Sequence, residues 1–401
     1  MVSKRYRRRV LEPVAAVGIV AVILIAHAPS GPNPLIRLPH RSSTTSDASE
    51  EDASWPRLEP ACAPETAGAA PAKVTVAELN QLVDHLDLPY WQAADIGASG
   101  RLSDNRLVLA FGDTLRKPDV APNLVANSLI VATGQCASQV MVRDHGAVIP
   151  DRQDGVVYWP TSLVVLPGSG SDQVLVFTSR IRRTGKGGFA FTYLGASATR
   201  FTVQPGGAPV PQEQIDITPD SADETQVNWG GAAMAAKSWL YVYGTGRATA
   251  GPGRSLYVAR APLSNPEDRS QWRFWDGDSW DRSPDKVEQI LPSDGVSQTL
   301  SADYLGGRYV LVSKRGGDFG DEVYAWSSSS PVGPWRRSKG VRAEFRDPAG
   351  GFRYAPLAHP EVPLQSGKLL VSISRNTDDL GKLLRDPRVG RPYLAEIAWP
   401  R

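Results

Sequence analysis

The sequence predicts an all-β protein, a five-bladed β-propeller, on three observations. Short apolar runs recur between Gly/Pro/Asp/Ser turns, long amphipathic helical patterns are absent after residue 88, and one strand pattern repeats. The repeat is a strand, a Gly- or Ser-containing turn, a second strand, then a third strand carrying an aromatic and followed by a Trp. Units begin near residues 90, 158, 228, 300 and 357, a period of roughly 55–70. Five units of about four strands fit a propeller around a channel, whereas a sandwich pair would leave the period unexplained.

Each element has its own warrant, starting from the amino-terminus. Residues 4–9 (KRYRRR) are basic, 14–28 are apolar, and Ala26-His27-Ala28 suits signal-peptidase cleavage. Residues 1–28 are therefore expected to be an export signal, cleaved or kept as an anchor, on a secreted or envelope-associated protein. Residues 29–72, rich in Ser, Pro and Ala, are expected to be a disordered linker. Thr75-Val76-Ala77-Glu78 is a capping box that opens one short helix ending near Leu86, so the propeller domain is expected over 73–401. Strands are expected over 107–112, 128–132, 161–166, 174–179, 189–194, 232–236, 240–244, 255–260, 309–314, 322–327, 368–375 and 393–398.

Composition narrows the function. The two cysteines, Cys62 and Cys136, either clasp the linker to the body as a disulfide or remain thiols; export favours the bridge. Two Cys and five scattered His give no zinc spacing, and neither cofactor nor metal is expected. A formal net charge of +2 on 401 residues argues against a nucleic-acid partner. A monomer is expected, with membrane contact only through the amino-terminal segment.

The most informative stretch is Asp95-Ile96-Gly97 with Phe111-Gly112-Asp113-Thr114. Ser103-Asp104-Asn105 is the turn between two strands, and a hairpin centred on 104 sets Asp95 opposite Asp113. Opposed residues share a face, with Cβ atoms roughly 4.5–5.5 Å apart. Two carboxylates so close raise the pKa of at least one, which suits an acid and base working together. Asp113 in Gly-Asp-Thr also reads as a turn former or cap.

Propellers bind ligands at one channel mouth. The blade starts offer Trp159-Pro160-Thr161, Glu224 to Gly230 with Asn228 and Trp229, Ser301-Ala302-Asp303, and Ala358-His359-Pro360-Glu361. An aromatic beside a polar group suits a sugar ring and its hydroxyls, so Asn127, Trp159, Asn228, Trp229, Asp303, His359 and Glu361 are expected to bind substrate. Trp159 and Trp229 also read as packing aromatics, and His359 as a structural histidine. Glu224 and Glu361 are reserve acids. A metal-dependent, lactonase-like propeller would need Asp95, Asn228, Asp303 and His359 as a ligand cluster. The main alternative to an enzyme is a glycan-binding or scaffolding propeller of the envelope.

The phrases Ala94-Asp95-Ile96-Gly97, Leu109-Ala110-Phe111-Gly112-Asp113-Thr114 and Asn127-Ser128 resemble the opening of the domain-of-unknown-function family numbered 4185. Asn228-Trp229-Gly230, Tyr241-Val242-Tyr243-Gly244, Tyr257-Val258-Ala259-Arg260 and His359-Pro360 continue the likeness to the carboxy-terminus. The resemblance implies a furanosidase-like propeller, akin to the endo-D-arabinanases of glycoside hydrolase family 183 that cut the arabinan of arabinogalactan and lipoarabinomannan. It implies Asp95 and Asp113 as the acidic pair. Leu115-Arg116-Lys117 and Ala126 depart from that family's pattern. Asp95, after Ala93-Ala94, is expected to be the more desolvated carboxyl.

Overall fold

Five antiparallel sheets stand around one channel, in chain order. The structure is a computed structural model describing residues 55–62, 72–134, 136–185, 190–247, 253–347 and 351–400. The expected signal, most of the linker and the first residue of the strand expected at 189 lie outside them.

The inner strands are Ala93–Arg101, Val156–Leu166, Asn228–Ala236, Ser301–Leu305 and Gly351–Ala358, for blades 1 to 5. The first four begin within three residues of the starts read from the sequence, and the fifth begins at Gly351, six residues before the expected 357. The sheets pack face to face, so the core is a series of layers between neighbouring blades. One layer joins Val108 and Leu129 of blade 1 to Val174 and Phe201 of blade 2 and Leu357 of blade 5. Another sets Phe177 and Leu175 of blade 2 against Trp229 and Trp272 of blade 3. The Trp that follows each third strand is part of this packing; Trp272 is 1% exposed. Full burial of a large apolar side chain contributes roughly 1.5–3 kcal/mol.

Four of the five inner strands break register. The breaks fall at Ala94/Ile96 and Ile96/Ala98 in blade 1, Pro160/Ser162 in blade 2, Trp229/Ala232 in blade 3 and Tyr354/Pro356 in blade 5. A bulge of this kind re-aims side chains. Ile96, Gly97, Gly230 and Ala355 take the required positive φ of 69°, 75°, 82° and 42°.

The outer edges of the first and last blades are covered. Arg57–Glu59 adds a strand to blade 1 beyond Cys136–Met141, and Cys62 is disulfide-bonded to Cys136. Pairing the edge removes an open template for association. The helix Val76–His85 carries both bonds of its capping box, Thr75 N–H to Glu78 Oε2 at 2.7 Å and Glu78 N–H to Thr75 Oγ1 at 3.2 Å. Asn80 exchanges two 2.9 Å hydrogen bonds with the Leu394 backbone, so the helix lies on the outer strand of blade 5. A second short helix, Leu380–Arg385, was not foreseen; Asp379 caps it. No helix among the described residues is long and apolar enough to cross a membrane.

The disulfide closes a sequence separation of 74 residues. Replacing both cysteines with serine is expected to lower the unfolding free energy by about 4 kcal/mol, read from guanidinium unfolding of parent and variant.

Candidate functional site

The first hairpin of blade 1 keeps the predicted register on both sides of the acidic pair: Ala94 faces Thr114, and Ala98 faces Ala110. At the pair itself the ladder opens. The bulge turns Asp95 inward over Gly112, where an added Cβ would overlap Asp95 Oδ1. Gly112→Ala is therefore expected to displace Asp95 and remove activity while deleting no functional group; restoration of wild-type turnover in that variant would contradict the geometry.

Both carboxyls are 2% exposed. Asp113 Oδ1 accepts from Trp159 Nε1 at 2.8 Å and Arg183 Nη2 at 2.6 Å. Asp95 Oδ2 accepts from Tyr354 Oη at 2.8 Å. Asp95 Oδ1 and Asp113 Oδ2 have no partner among the described residues. Burial, then the charge of Asp113, pushes the Asp95 pKa up to about 7, against the Tyr354 hydrogen bond. Burial also raises Asp113, but the Arg183 charge and hydrogen bond and the Trp159 N–H oppose it. The two environments thus separate the pair. Asp95 is the carboxyl that favours the proton, with Oδ1 open because Tyr354 occupies Oδ2, and Asp113, beside Arg183, is the one that favours the charge, with Oδ2 open. Asp151, exposed in the loop before blade 2, interacts with both Arg183 and Asp113.

The other residues singled out from sequence divide between two ends of the channel. Asn228 begins the blade 3 inner strand at the same mouth as the pair; its Oδ1 accepts from Ser179 Oγ at 3.3 Å and its Nδ2 is unpartnered. Glu224 precedes it, exposed and ion-paired with Arg247. Trp159 presents its N–H to Asp113, with its ring edge-on to Phe191. Trp229 belongs to the core: the bulge at Gly230 directs its ring onto Phe274 and Trp272, at centroid distances of 5.2 and 6.4 Å. Asn127 spends its amide on Ile149 and the Tyr158 carbonyl, tying blade 1 to blade 2. Arg116, in the departing Leu115-Arg116-Lys117 stretch, likewise binds the carbonyls of Pro122, His145 and Gly146.

His359 and Glu361 do not start a blade. The blade 5 inner strand ends at Ala358, so both lie at the opposite mouth. There Ser99 bonds to His359 Nδ1 at 2.5 Å and donates to Glu361, and His359 Nε2 meets Ser372 Oγ at 2.7 Å. These bonds join the last blade to the first. Asp303 faces the channel on that side, where burial and the nearby Glu361 raise its pKa well above the usual range. The channel there is a cavity of about 300 Å³ lined by Ser99, Arg101, Thr161, Ser301, Asp303 and Glu361 together with apolar residues. Asp95, Asn228, Asp303 and His359 therefore do not converge, and no acidic/His/Cys metal cluster occurs among the described residues.

Sequence reasoning missed Tyr354 and Arg183, which touch the pair, and Arg254, Lys314 and Asp318 at the same mouth. Arg183 had a signal, a charged terminus on the apolar run 174–181, but no local pattern marks its carboxylate partner.

The fold has solved relatives. A Bacteroides ovatus protein provisionally described as a hydrolase is similar at TM-score 0.60 and 16% identity, over 80% of this chain and 89% of that one. A GH43_1 enzyme from Xanthomonas citri aligns at TM-score 0.44 and 13% identity, over 81% and 94%. The endo-arabinase from Bacteroides thetaiotaomicron aligns at 0.41 and 12%, over 78% and 99%. At these identities the likeness concerns the fold alone. No curated protein matches the sequence. The resemblance to family 4185 does not stand, because a different family model covers the body of the chain. The glycines that carried that resemblance, Gly97 and Gly112, are what a bulge beneath a carboxyl requires, and such short phrases do not define a family. The chain belongs to the family described as Domain of unknown function (DUF5005), whose model matches residues 78–397.

Proposed function

We propose that this protein is a glycoside hydrolase in which Asp95 is the general acid and Asp113 the base or nucleophile. One observation carries the reading. Two buried carboxyls lie at one propeller mouth in contrasting environments: Asp95, its pKa pushed up to about 7, leaves Oδ1 free, and Asp113, bonded to Arg183, leaves Oδ2 free. Glycosidic cleavage needs such a pair, an acid to protonate the leaving oxygen and a carboxylate to attack carbon or activate water. Tyr354 fixes the proton's position on Asp95, and Arg183 with Trp159 holds Asp113 charged.

The D-arabinan substrate was implied by a family to which the chain does not belong. The site chemistry asks only for a glycosidic bond. Polymeric furanosides, including arabinan and arabinogalactan, belong in the first substrate panel beside xylan, galactan and a uronate polymer. Released oligosaccharides, absent with Asp95→Asn, are the test. Burial of both carboxyls favours a second reading, a glycan-binding propeller, for which affinity without product release is the signature. Export remains part of the proposal, supported by the basic and apolar residues of 1–28 and by the disulfide.

A further inference from the structure

The mouth that holds the carboxyl pair also carries an excess of unmatched donors on its blade 2–4 side. Arg247 and Arg254 face each other directly across the second and third strands of blade 3. Like charges in that position repel. Arg247 is ion-paired with Glu224. Arg254 forms no ion pair among the described residues; its Nη2 donates to the neutral Gln298 Oε1 at 3.0 Å. The undescribed stretches 186–189 and 248–252 contain no Asp or Glu to neutralise it.

The groups that interact with Arg254 are Asp318, Arg247 and Tyr193. Asp318 is 6% exposed, is shared between Arg254 and Lys314, and has its pKa raised by burial. Its Oδ2 accepts from Gln298 N–H at 3.2 Å while Oδ1 has no partner. Two neutral donors nearby are also unsatisfied. Among the described residues, Asn228, 2% exposed, leaves Nδ2 without an acceptor, and Tyr193 leaves Oη without one. Thr245, paired with Asn228 in the ladder, donates to the carbonyl of the same Gln298 that Arg254 holds. Buried donors left unpaired, beside a half-buried cation whose nearby carboxylate is shared with Lys314, are costly unless a ligand completes them.

We propose that this side of the mouth seats an oxyanion carried by the glycan, a uronate carboxylate in the first instance. Arg254 is the charged partner, and Asn228 Nδ2 and Tyr193 Oη are the neutral donors. A guanidinium matches a carboxylate in shape as well as charge. The inference rests on the reading of this mouth as a glycan site, and it narrows the substrate to acidic sugars.

The test uses the full chain and calorimetric titration with tri-D-galacturonate and its fully methyl-esterified form, the same sugar without charge. The acid form is expected to bind at least about tenfold more tightly, and Arg254→Gln to erase that preference while leaving ester affinity unchanged. Tyr193→Phe, a milder change, is expected to weaken only the acid form and serves if Arg254→Gln does not fold. Equal affinities in the parent, or an acid preference that survives Arg254→Gln, overturns the site. Preference for glucose 6-sulfate over glucuronate keeps the oxyanion seat and makes its anion a sulfate ester. Acid preference without hydrolysis of any glycan sinks the catalytic reading alone; hydrolysis without acid preference sinks this inference alone.

Discussion

Asp95→Asn and Asp113→Asn are each expected to reduce turnover of a cleaved glycan by about 10²–10⁴-fold, the range for removing a positioned acid or base. The two losses differ in kind. Asparagine at 95 can still accept the Tyr354 hydrogen bond but cannot release a proton to the leaving oxygen. At 113 it can still accept from Trp159 and Arg183 but leaves that guanidinium without its carboxylate. Turnover should thus fall in both, and an activated substrate whose leaving group needs no protonation should rescue Asp95→Asn only. Full activity in either variant on a substrate the parent cleaves refutes the assignment.

The second large effect is on pH dependence. Asp95 must be protonated to act as the acid, and its pKa of about 7 sets the alkaline limb of activity. Asp113 must be ionised and sets the acid limb. The same proton changes stability. The folded protein keeps it up to about pH 7, while an unfolded Asp releases it near 3.9. The folded state therefore binds more protons between those values, and stability falls as pH rises through the window. The drop is of order 4 kcal/mol. Asp95→Asn removes this titration, so above pH 7 the inactive variant should melt higher than the parent, with the difference vanishing near pH 4. A parallel pair of melting curves across that range would show that Asp95 titrates normally.

Much of this arrangement was legible because hairpins obey arithmetic. Turn residues 103–105 set a register in which Ala94–Thr114 and Ala98–Ala110 pair as counted. The inner-strand starts followed from the repeat. The fifth blade was misplaced because 354–358 is continuously buried. A strand without polar alternation does not announce which end meets the ligand, so the His359-Pro360 turn at its close passed for its opening. Trp229 was ambiguous for another reason. Gly230 lies so close to Phe177 of the neighbouring blade that an added Cβ would stand 2.7 Å from it, and that inter-blade fit orients the aromatic. Arg254 stands just before the strand expected at 255–260; that it shares Asp318 with Lys314 is a three-dimensional fact.

The repeated register break has a consequence for how such a protein can change. Four blades carry a residue that the ladder skips in the inner strand, whatever side chain stands there: Asp95 in blade 1, Thr161 in blade 2, Gly230 in blade 3 and Ala355 in blade 5. These positions behave as interchangeable sockets. The backbone supplies the aim and the side chain supplies the chemistry, so a single substitution can move an acid, a base or an anion clamp from one blade to the next without refolding the sheet. Relatives on this scaffold can therefore share every strand and still distribute their reactive groups around the rim differently.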